Sequence, residues 1–444
     1  MRSGKRFHIL TFGCQMNEHD SEIMHALLEK SGYEWVDNIE EADLIVLNTC
    51  SVRKHAEQRV LGILGNLKHK KEKNPNTIIA LGGCMAQNPE IQEFIRRKAN
   101  YVDVLFGTRN YHKLPVMVKK VEERRVKVFE PSRDDEEIPS DLPAHHSSRV
   151  KAYVTIIYGC NNFCSYCIVP YTRGREKSRP PREIYEEVRE LAERGFREVM
   201  LLGQNVNSYG KDLEEDINFA KLLKMLDSIP GIARIRYTTS HPRDFTDELI
   251  DTIAESEKVC EHFHLPVQAG SNNILKMMNR GYTREDYFEL IEKIRKRIPN
   301  ASITTDIIVG FPGESDRDFL DTLDLVKRVR FDAAYTFIYS PRYGTPAAEM
   351  NDEIPLEEKK NRLQQLNQLQ SQITLDINKG YEGKTVEVLV EGKSKTNPNR
   401  WSGRTRTNKI VVFDCQENLE GKLVNVKIDC AQTWTLFGSV INNE

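Results

Sequence analysis

Four short apolar runs punctuate the first part of the chain: FHILTF at 7–12, DLIVLN at 43–48, TIIALG at 77–82 and YVDVLFG at 101–107. Amphipathic stretches such as 18–31 lie between them. Short apolar runs alternating with helical patterns predict βαβ units, and so an open parallel α/β sheet. The segment EPSRDDEEIPSDLPAHHSSR (130–149) has no periodicity and is rich in Pro, Ser and acid, which marks a linker. A second series of strands is expected near 152–158, 198–202, 233–239, 262–266, 302–309 and 333–338, with helical segments such as 181–194 and 314–330 between them. Six βα units predict a partial barrel. A long helical pattern over 355–379 ends at Gly380, a good helix stop. Beyond it VEVLVEG, KIVVF, LVNVKI and LFGSVI are short strands split by polar turns, which predicts a small all-β barrel of the size used for oligonucleotide binding. The expected domains are 1–145, 146–379 and 380–444.

Composition narrows the class. A charged fraction of 29% beside a hydrophobic fraction of 39% is that of a folded, water-soluble chain and not of a disordered one. The opening MRSGKRFHIL runs straight into a strand pattern without an apolar signal segment, and no later run reaches membrane-spanning length. The expectation is a cytoplasmic protein with no membrane partner. The net charge of -2 neither supports nor excludes nucleic acid, since binding needs only a local basic patch. In a reducing compartment the nine cysteines are more readily metal ligands than disulfides.

Two cysteine sets carry the chemistry. Cys160, Cys164 and Cys167 lie in YGCNNFCSYCIVPYTRGREKSRP, directly after the strand pattern AYVTIIY. A CxxxCxxC triad can ligate three irons of a 4Fe-4S cluster and leave the fourth open to a non-protein ligand. A closed structural zinc site is the alternative, but it needs a fourth ligand nearby and none is obvious. The second set is dispersed. Cys14, Cys50 and Cys84 each follow one of the first three strand patterns, so they would meet at the carboxyl edge of a parallel sheet, where ligands bind. That placement fits a second three-thiolate cluster site, with ordinary core cysteines as the alternative. Cys260, Cys415 and Cys430 show no such pattern and read as structural.

The first cysteine segment resembles the signature of the radical S-adenosylmethionine superfamily. With TFGCQMNEHDSE, LNTCSVR, GGCMAQ, LLGQNVNSYG, TTSHP, HLPVQAGS, DIIVGFPGE and YSPRYGTPA beside it, nearly the whole chain resembles the methylthiotransferase family. It departs from the usual pattern at Ala269, where Ser is common, and at Tyr343, where Pro is common. The resemblance implies two 4Fe-4S clusters facing one pocket and two S-adenosylmethionine molecules. One would methylate a sulfide at the auxiliary cluster, and the other would give the radical that activates C2 of an adenine. The implied substrate is the anticodon stem-loop of a tRNA carrying isopentenylated adenosine next to the anticodon. The reaction also implies a one-electron donor and a sulfur or cluster-repair source, neither of which the sequence identifies. Sister readings are methylthiolation of a ribosomal-protein aspartate or of a threonylcarbamoyl-adenosine. A non-catalytic RNA-binding or cluster-carrier protein is a reading of another class, against which the intact triad stands.

For S-adenosylmethionine, Tyr166 matches the family position that packs on the adenine. Strand-end groups complete the expected pocket: Gly203, Gln204, Asn205, Ser240, His264, Gln268 and Gly310. A turn is the alternative reading of each glycine, and a satisfied core histidine that of His264. For RNA, Arg173, Arg175, Lys177 and Arg179 follow the cysteine loop, and Arg400, Trp401, Arg404 and Arg406 lie in an acid-free stretch over 393–409. Such groups can pair with phosphates while an aromatic stacks on a base, or they can simply form a solvated face. The last domain resembles the TRAM module, which implies RNA binding.

Overall fold

A computed structural model describes residues 4–51, 54–133 and 136–441. The N-terminal part is one six-stranded, all-parallel sheet. Its spatial order is Tyr33–Trp35, Lys5–Thr11, Leu44–Thr49, Ile78–Gly83, Val104–Phe106 and Val128–Glu130. Leu44–Thr49 and Ile78–Gly83 are buried at every position, because they sit centrally with helices on both faces. Phe7, Val46, Ala80 and Val104 pack toward helices Gln15–Lys30 and Leu114–Arg124. Ile45, Leu47, Ile79 and Leu81 pack against the opposite layer, which includes Val60, Leu64 and Ile95. The expected linker does not float free. Ile138, Leu142 and Ala144 lie on the first of these cores, and the carboxylate of Glu22 accepts from the amide and hydroxyl of Ser147.

The central part is an open barrel. Lys151–Thr155, Glu198–Leu202 and Arg234–Tyr237 form one parallel ladder, and His262–His264, Ser302–Val309 and Ala333–Ile338 form another. A parallel bridge between Ile235 and Val259 joins them. Among the described residues no ladder joins the first strand to the last, so the barrel has a lateral opening. Four of the helices that follow these strands start where their sequence can cap them: the side chains of Asn218, Thr246, Thr283 and Ser315 each accept a first-turn amide. Residues alternate along the strands. Val154, Val199, Ile235, Phe263, Ile303 and Ile307 face the helices in a continuous core, and their neighbours face the barrel interior.

Helix Leu356–Lys379 leads to a closed five-stranded barrel in the order Thr385–Lys393, Trp401–Arg404, Ile410–Asp414, Leu436–Val440 and Leu423–Ala431. This small barrel forms the floor of the central one. The guanidinium of Arg236 pairs with Glu198 and donates to the carbonyls of Thr405 and Arg406, while Arg406 forms a bidentate pair with Glu261. No described helix is long and apolar enough to cross a membrane.

Candidate functional site

Register places the dispersed cysteines together. Thr11 is level with Asn48 and Asn48 with Gly82, so Cys14, Cys50 and Cys84 leave three adjacent strands at one edge. The backbone approaches closely there. A Cβ on Gly13 would stand 2.6 Å from the Cβ of Cys50, and one on Gly83 would stand 2.4 Å from the carbonyl of Thr49. Both glycines have positive φ, +135° and +89°. Two buried asparagines brace the edge: Asn17 donates to Asn48 and to the Thr49 carbonyl at 3.2 Å, and Asn48 donates to the Asn17 carbonyl at 2.8 Å.

The contiguous triad sits on a single loop. Gly159, at φ +74°, lets the loop pass the Arg175 carbonyl, which would lie 2.1 Å from a Cβ there. The Cys160 amide donates to the Gly174 carbonyl at 3.1 Å and the Cys167 amide to the Cys164 carbonyl at 2.9 Å. Burial pushes the Cys160 thiol up to about 11 and the Cys167 thiol up to about 12. Such thiols are poor anions alone and become good ligands when cationic irons replace their protons. Among the described residues the sulfurs of neither triad all lie within 4.8 Å of one another. A single tetrahedral zinc would need sulfurs about 3.8 Å apart. Three thiols in each set match three iron corners of a 4Fe-4S cluster and leave the fourth open.

A buried arginine serves each triad, and sequence reasoning missed the role of both. Arg280 donates to Cys164 Sγ at 3.3 Å, to the Tyr166 hydroxyl at 3.4 Å and to the Pro266 carbonyl at 2.7 Å. Nothing in the periodicity around Arg280 marks it. Arg173 leaves the contiguous loop, pairs with Asp20 at 2.9 Å and lies in the field of Cys84 and Cys14. Burial drives the Asp20 carboxyl up despite that pair. The turn Val169–Thr172 packs on the turn Cys84–Gln87. The Thr108 hydroxyl donates to the Thr172 carbonyl at 2.6 Å, and Arg109 donates to the carbonyls of Arg173 and Arg175. Met16, two residues beyond Cys14, reaches into the central barrel, where its sulfur accepts from Thr155 at 3.7 Å beside Tyr153 and Leu202. The two triads thus flank one interface between the sheet edge and the barrel mouth.

The expected S-adenosylmethionine groups ring that mouth to different degrees. Tyr166 packs on the cluster of Ala269, Ile274, Leu275 and Phe311. Gly203 faces Ile157, and the Gln204 side chain accepts the Gly159 amide at 2.5 Å, which ties that strand end to the cysteine loop. Asn205 is buried and holds Asp244 and the His241 amide. Among the described residues the buried Ser240 hydroxyl has no partner, and neither has Nε2 of His241. Burial and the charge of Arg280 hold His241 down to about 2, so it is a neutral donor or acceptor and was not singled out from its motif. Gln268 adopts φ +74° while its backbone pairs with Asp306 and Ile308. The Gly310 amide donates to Glu314 at 2.7 Å, which Arg362 holds. His264 stands further down the barrel wall, against Thr304 and Asp306.

Several expected RNA contacts are engaged elsewhere, which corrects their reading as surface groups. Arg173 is consumed by Asp20, and Arg179 by Glu187 and the Thr155 carbonyl. Arg406 is saturated by Glu261 and two carbonyls, and Arg404, partly exposed, pairs with Glu391 and Asn408. Trp401 is 5% exposed in the core of the small barrel, so it offers no stacking face. Arg175 and Lys177 remain exposed, over Phe163 and beside Glu137, and Arg400 pairs with Asp414 at the surface. The exposed tryptophan of the small barrel is Trp434.

Family models match in the same three parts. Residues 6–107 match the uncharacterized protein family UPF0004, residues 154–326 the radical SAM superfamily and residues 379–441 the TRAM domain. Curated relatives match end to end. The chain is 56% identical to a tRNA-2-methylthio-N(6)-dimethylallyladenosine synthase of Thermoanaerobacter pseudethanolicus, over 98% of this chain and 92% of that one. It is 54% identical to the synthase of Syntrophomonas wolfei over 98% of both chains, and 53% identical to that of Moorella thermoacetica over 100% of both. Among solved structures, the radical S-adenosylmethionine methyltransferase TsrM of Kitasatospora setae shares the fold at a TM-score of 0.54 and 14% identity, over 78% of this chain and 77% of that one. The cobalamin-dependent radical enzyme OxsB shares it at 0.51 and 13% identity, over 83% and 56%.

Proposed function

Because this chain belongs to the tRNA-2-methylthio-N(6)-dimethylallyladenosine synthase family, we propose that it adds a methylthio group to C2 of N6-isopentenyladenosine next to a tRNA anticodon. As a radical SAM protein it uses an iron-sulfur cluster and S-adenosylmethionine. The observation that carries the two-cluster form of this reading is the meeting of both cysteine triads at one interface, bridged by Arg173 and the Thr108 and Arg109 contacts. Cys160, Cys164 and Cys167 would hold a 4Fe-4S cluster that would supply the electron for cleavage of S-adenosylmethionine, and Cys14, Cys50 and Cys84 would hold one that would supply an attachment point for sulfur.

The chain's own groups set the stage for that chemistry. Arg280 fixes the sulfur of Cys164 and the ring of Tyr166 with one guanidinium, which orients the loop on which the methionyl end must sit. The unpartnered Ser240 hydroxyl and the neutral His241 ring offer hydrogen bonds to the cofactor without adding charge. The TRAM barrel closes the floor of the central one, so the substrate base enters from the side or the mouth. Exposed Arg175 and Lys177 flank the mouth as phosphate contacts, and the exposed Trp434 adds an aromatic face on the TRAM barrel. Such a reaction belongs where tRNA is matured, in the cytoplasm.

Mass spectrometry of tRNA nucleosides from cells with and without the gene tests the assignment. The 2-methylthio derivative of isopentenyladenosine disappears on deletion. Its persistence, with loss of a different modification, moves the assignment to a sister enzyme.

A further inference from the structure

The inner wall of the central barrel is covered almost all the way round. Met16 lies over the wall made by Tyr153 and Leu202. Arg236 and Glu198 are capped by the TRAM carbonyls of Thr405 and Arg406. The last two strands are different. Register sets Asp306 beside Tyr335 and Ile308 beside Phe337. These four lie on the face opposite Ile303, Ile307 and Val309, which belong to the helix-packed core, so they look into the barrel. Tyr335 is 56% exposed and Phe337 36%, which makes them large aromatic surfaces on an interior wall that no other part of the described chain covers. Beside them, His264 meets the Tyr335 ring edge-on at 5.9 Å and stands 3.5 Å from Asp306.

We propose that this wall is the seat of the modified base: Tyr335 and Phe337, with Ile308, take the adenine ring and its isopentenyl chain, and Asp306 accepts the remaining N6–H. The inference rests on the substrate reading above and names the residues that recognise it. Its grounds are position and complementarity. Asp306 and Ile308 lie on the strand Ser302–Val309, which leads to Gly310 at the barrel mouth, and Tyr335 and Phe337 lie on the parallel neighbour Ala333–Ile338, so the wall spans the last two strands beside the lateral opening. A prenylated adenine presents one flat π-face, one branched hydrocarbon chain and one N–H donor. The wall presents two aromatic rings, an aliphatic side chain and a carboxylate 29% exposed, which can accept without being stripped of water entirely. The alternative, that these aromatics are core residues, is inconsistent with their exposure. His264 then acts as a positioning residue: its Nδ1 is held by Thr304 and its edge sets the tilt of Tyr335.

The test is binding of anticodon stem-loop RNA, with and without the N6-dimethylallyl group, to anaerobically reconstituted full-length protein, read by fluorescence anisotropy. Wild type binds the prenylated RNA more tightly. Replacing both aromatics (Y335A with F337A) lowers affinity for the prenylated RNA by about 10- to 100-fold, the scale of losing base stacking and an apolar contact. Affinity for the unprenylated RNA falls less, so the preference collapses. Cleavage of S-adenosylmethionine in the absence of RNA stays at the wild-type rate, which separates a lost seat from a lost fold. A second variant, D306N, keeps the shape of the wall and weakens both RNAs alike, since each has an N6–H donor. A double variant that retains the full wild-type preference overturns the inference while leaving the substrate reading intact. Wild type without any preference overturns the substrate reading, and this inference with it.

Discussion

The two cysteine triads reach the same interface by opposite routes. Cys160, Cys164 and Cys167 ride on one loop whose shape is set mostly within its own segment, by Gly159 and the Gly174 carbonyl, with Arg280 a distant brace. Cys14, Cys50 and Cys84 are brought together only by the register of three parallel strands and by the Asn17 and Asn48 brace. The first is a local device that needs its barrel only as a platform. The second is a global one that exists only when the sheet is paired. Arg173 joins them, since it belongs to the sequence of the local loop and to the electrostatics of the dispersed site. On the function proposed above the duties are separable, with cleavage of S-adenosylmethionine assigned to the local triad and sulfur delivery to the global one.

The strongest break of that comparison is removal of each triad in turn. With Cys160, Cys164 and Cys167 changed to Ala, reductive formation of 5′-deoxyadenosine vanishes, because no thiolates hold that cluster. With Cys14, Cys50 and Cys84 changed to Ala, 5′-deoxyadenosine still forms while methylthiolated tRNA does not. Both products are measured anaerobically after circular dichroism has shown each variant folded, since loss of a cluster also removes folding energy. Wild-type sulfur transfer by the second variant would falsify the division of labour.

The bridge gives the next largest effect. In Arg173→Gln the carboxylate of Asp20 stays buried without its partner, a loss of about 3–5 kcal/mol. Chemical denaturation should register that loss, and iron should be depleted from the Cys14 site more than from the Cys160 site. Equal depletion of both would contradict a bridge biased toward the dispersed site. Smaller and more local, Gly159→Ala forces a side chain into φ +74° against the Arg175 carbonyl, at about 1–2 kcal/mol for the backbone alone. Its iron loss should be confined to the contiguous triad, as absorption spectra of the two single-cluster backgrounds would report.

The smallest effect is on the linker. Burial pushes the Glu22 carboxyl up, but the imidazoles of His146 at 3.7 Å and His19 at 3.5 Å and the hydrogen bonds from Ser147 hold it well below the usual carboxylate range. A depressed folded value means that the stabilisation is complete above the unfolded value of about 4.3 and is lost as pH falls through the folded one. The protection of the Ser147 amide, taken relative to its intrinsic exchange at each pH, should therefore fall as the solution is acidified below about pH 4.3, while protection of the Cys160 amide, bonded to Gly174, persists. Simultaneous release of both amides would show that the linker is not separately pinned.

The same contrast explains what could be read from the chain. The contiguous triad is visible as spacing, and the dispersed triad became visible once the buried strands Leu44–Thr49 and Ile78–Gly83 were read as apolar runs. The edge strands Tyr33–Trp35 and Val128–Glu130 escaped because they are short and partly exposed, so they carry no apolar run. Trp401–Arg404 escaped for another reason. Its alternation of Trp, Ser, Gly and Arg looks like a basic RNA-binding stretch, whereas the inward positions Trp401 and Gly403 build the small barrel. Charge misled in the same way at Arg173, whose partner Asp20 is 153 residues away. A guanidinium looks the same in sequence whether it meets a phosphate or a buried carboxylate. The Tyr335 and Phe337 wall was hidden because a strand with aromatics on one face normally signals core, and only the lateral opening of the barrel leaves those rings bare.

The central claim is that two independent cluster sites share one interface, and iron content per chain tests it most directly. Anaerobically reconstituted wild type should hold about eight irons, and each triad variant about four. About four irons in wild type, with all six cysteines reduced and accessible, would contradict the account.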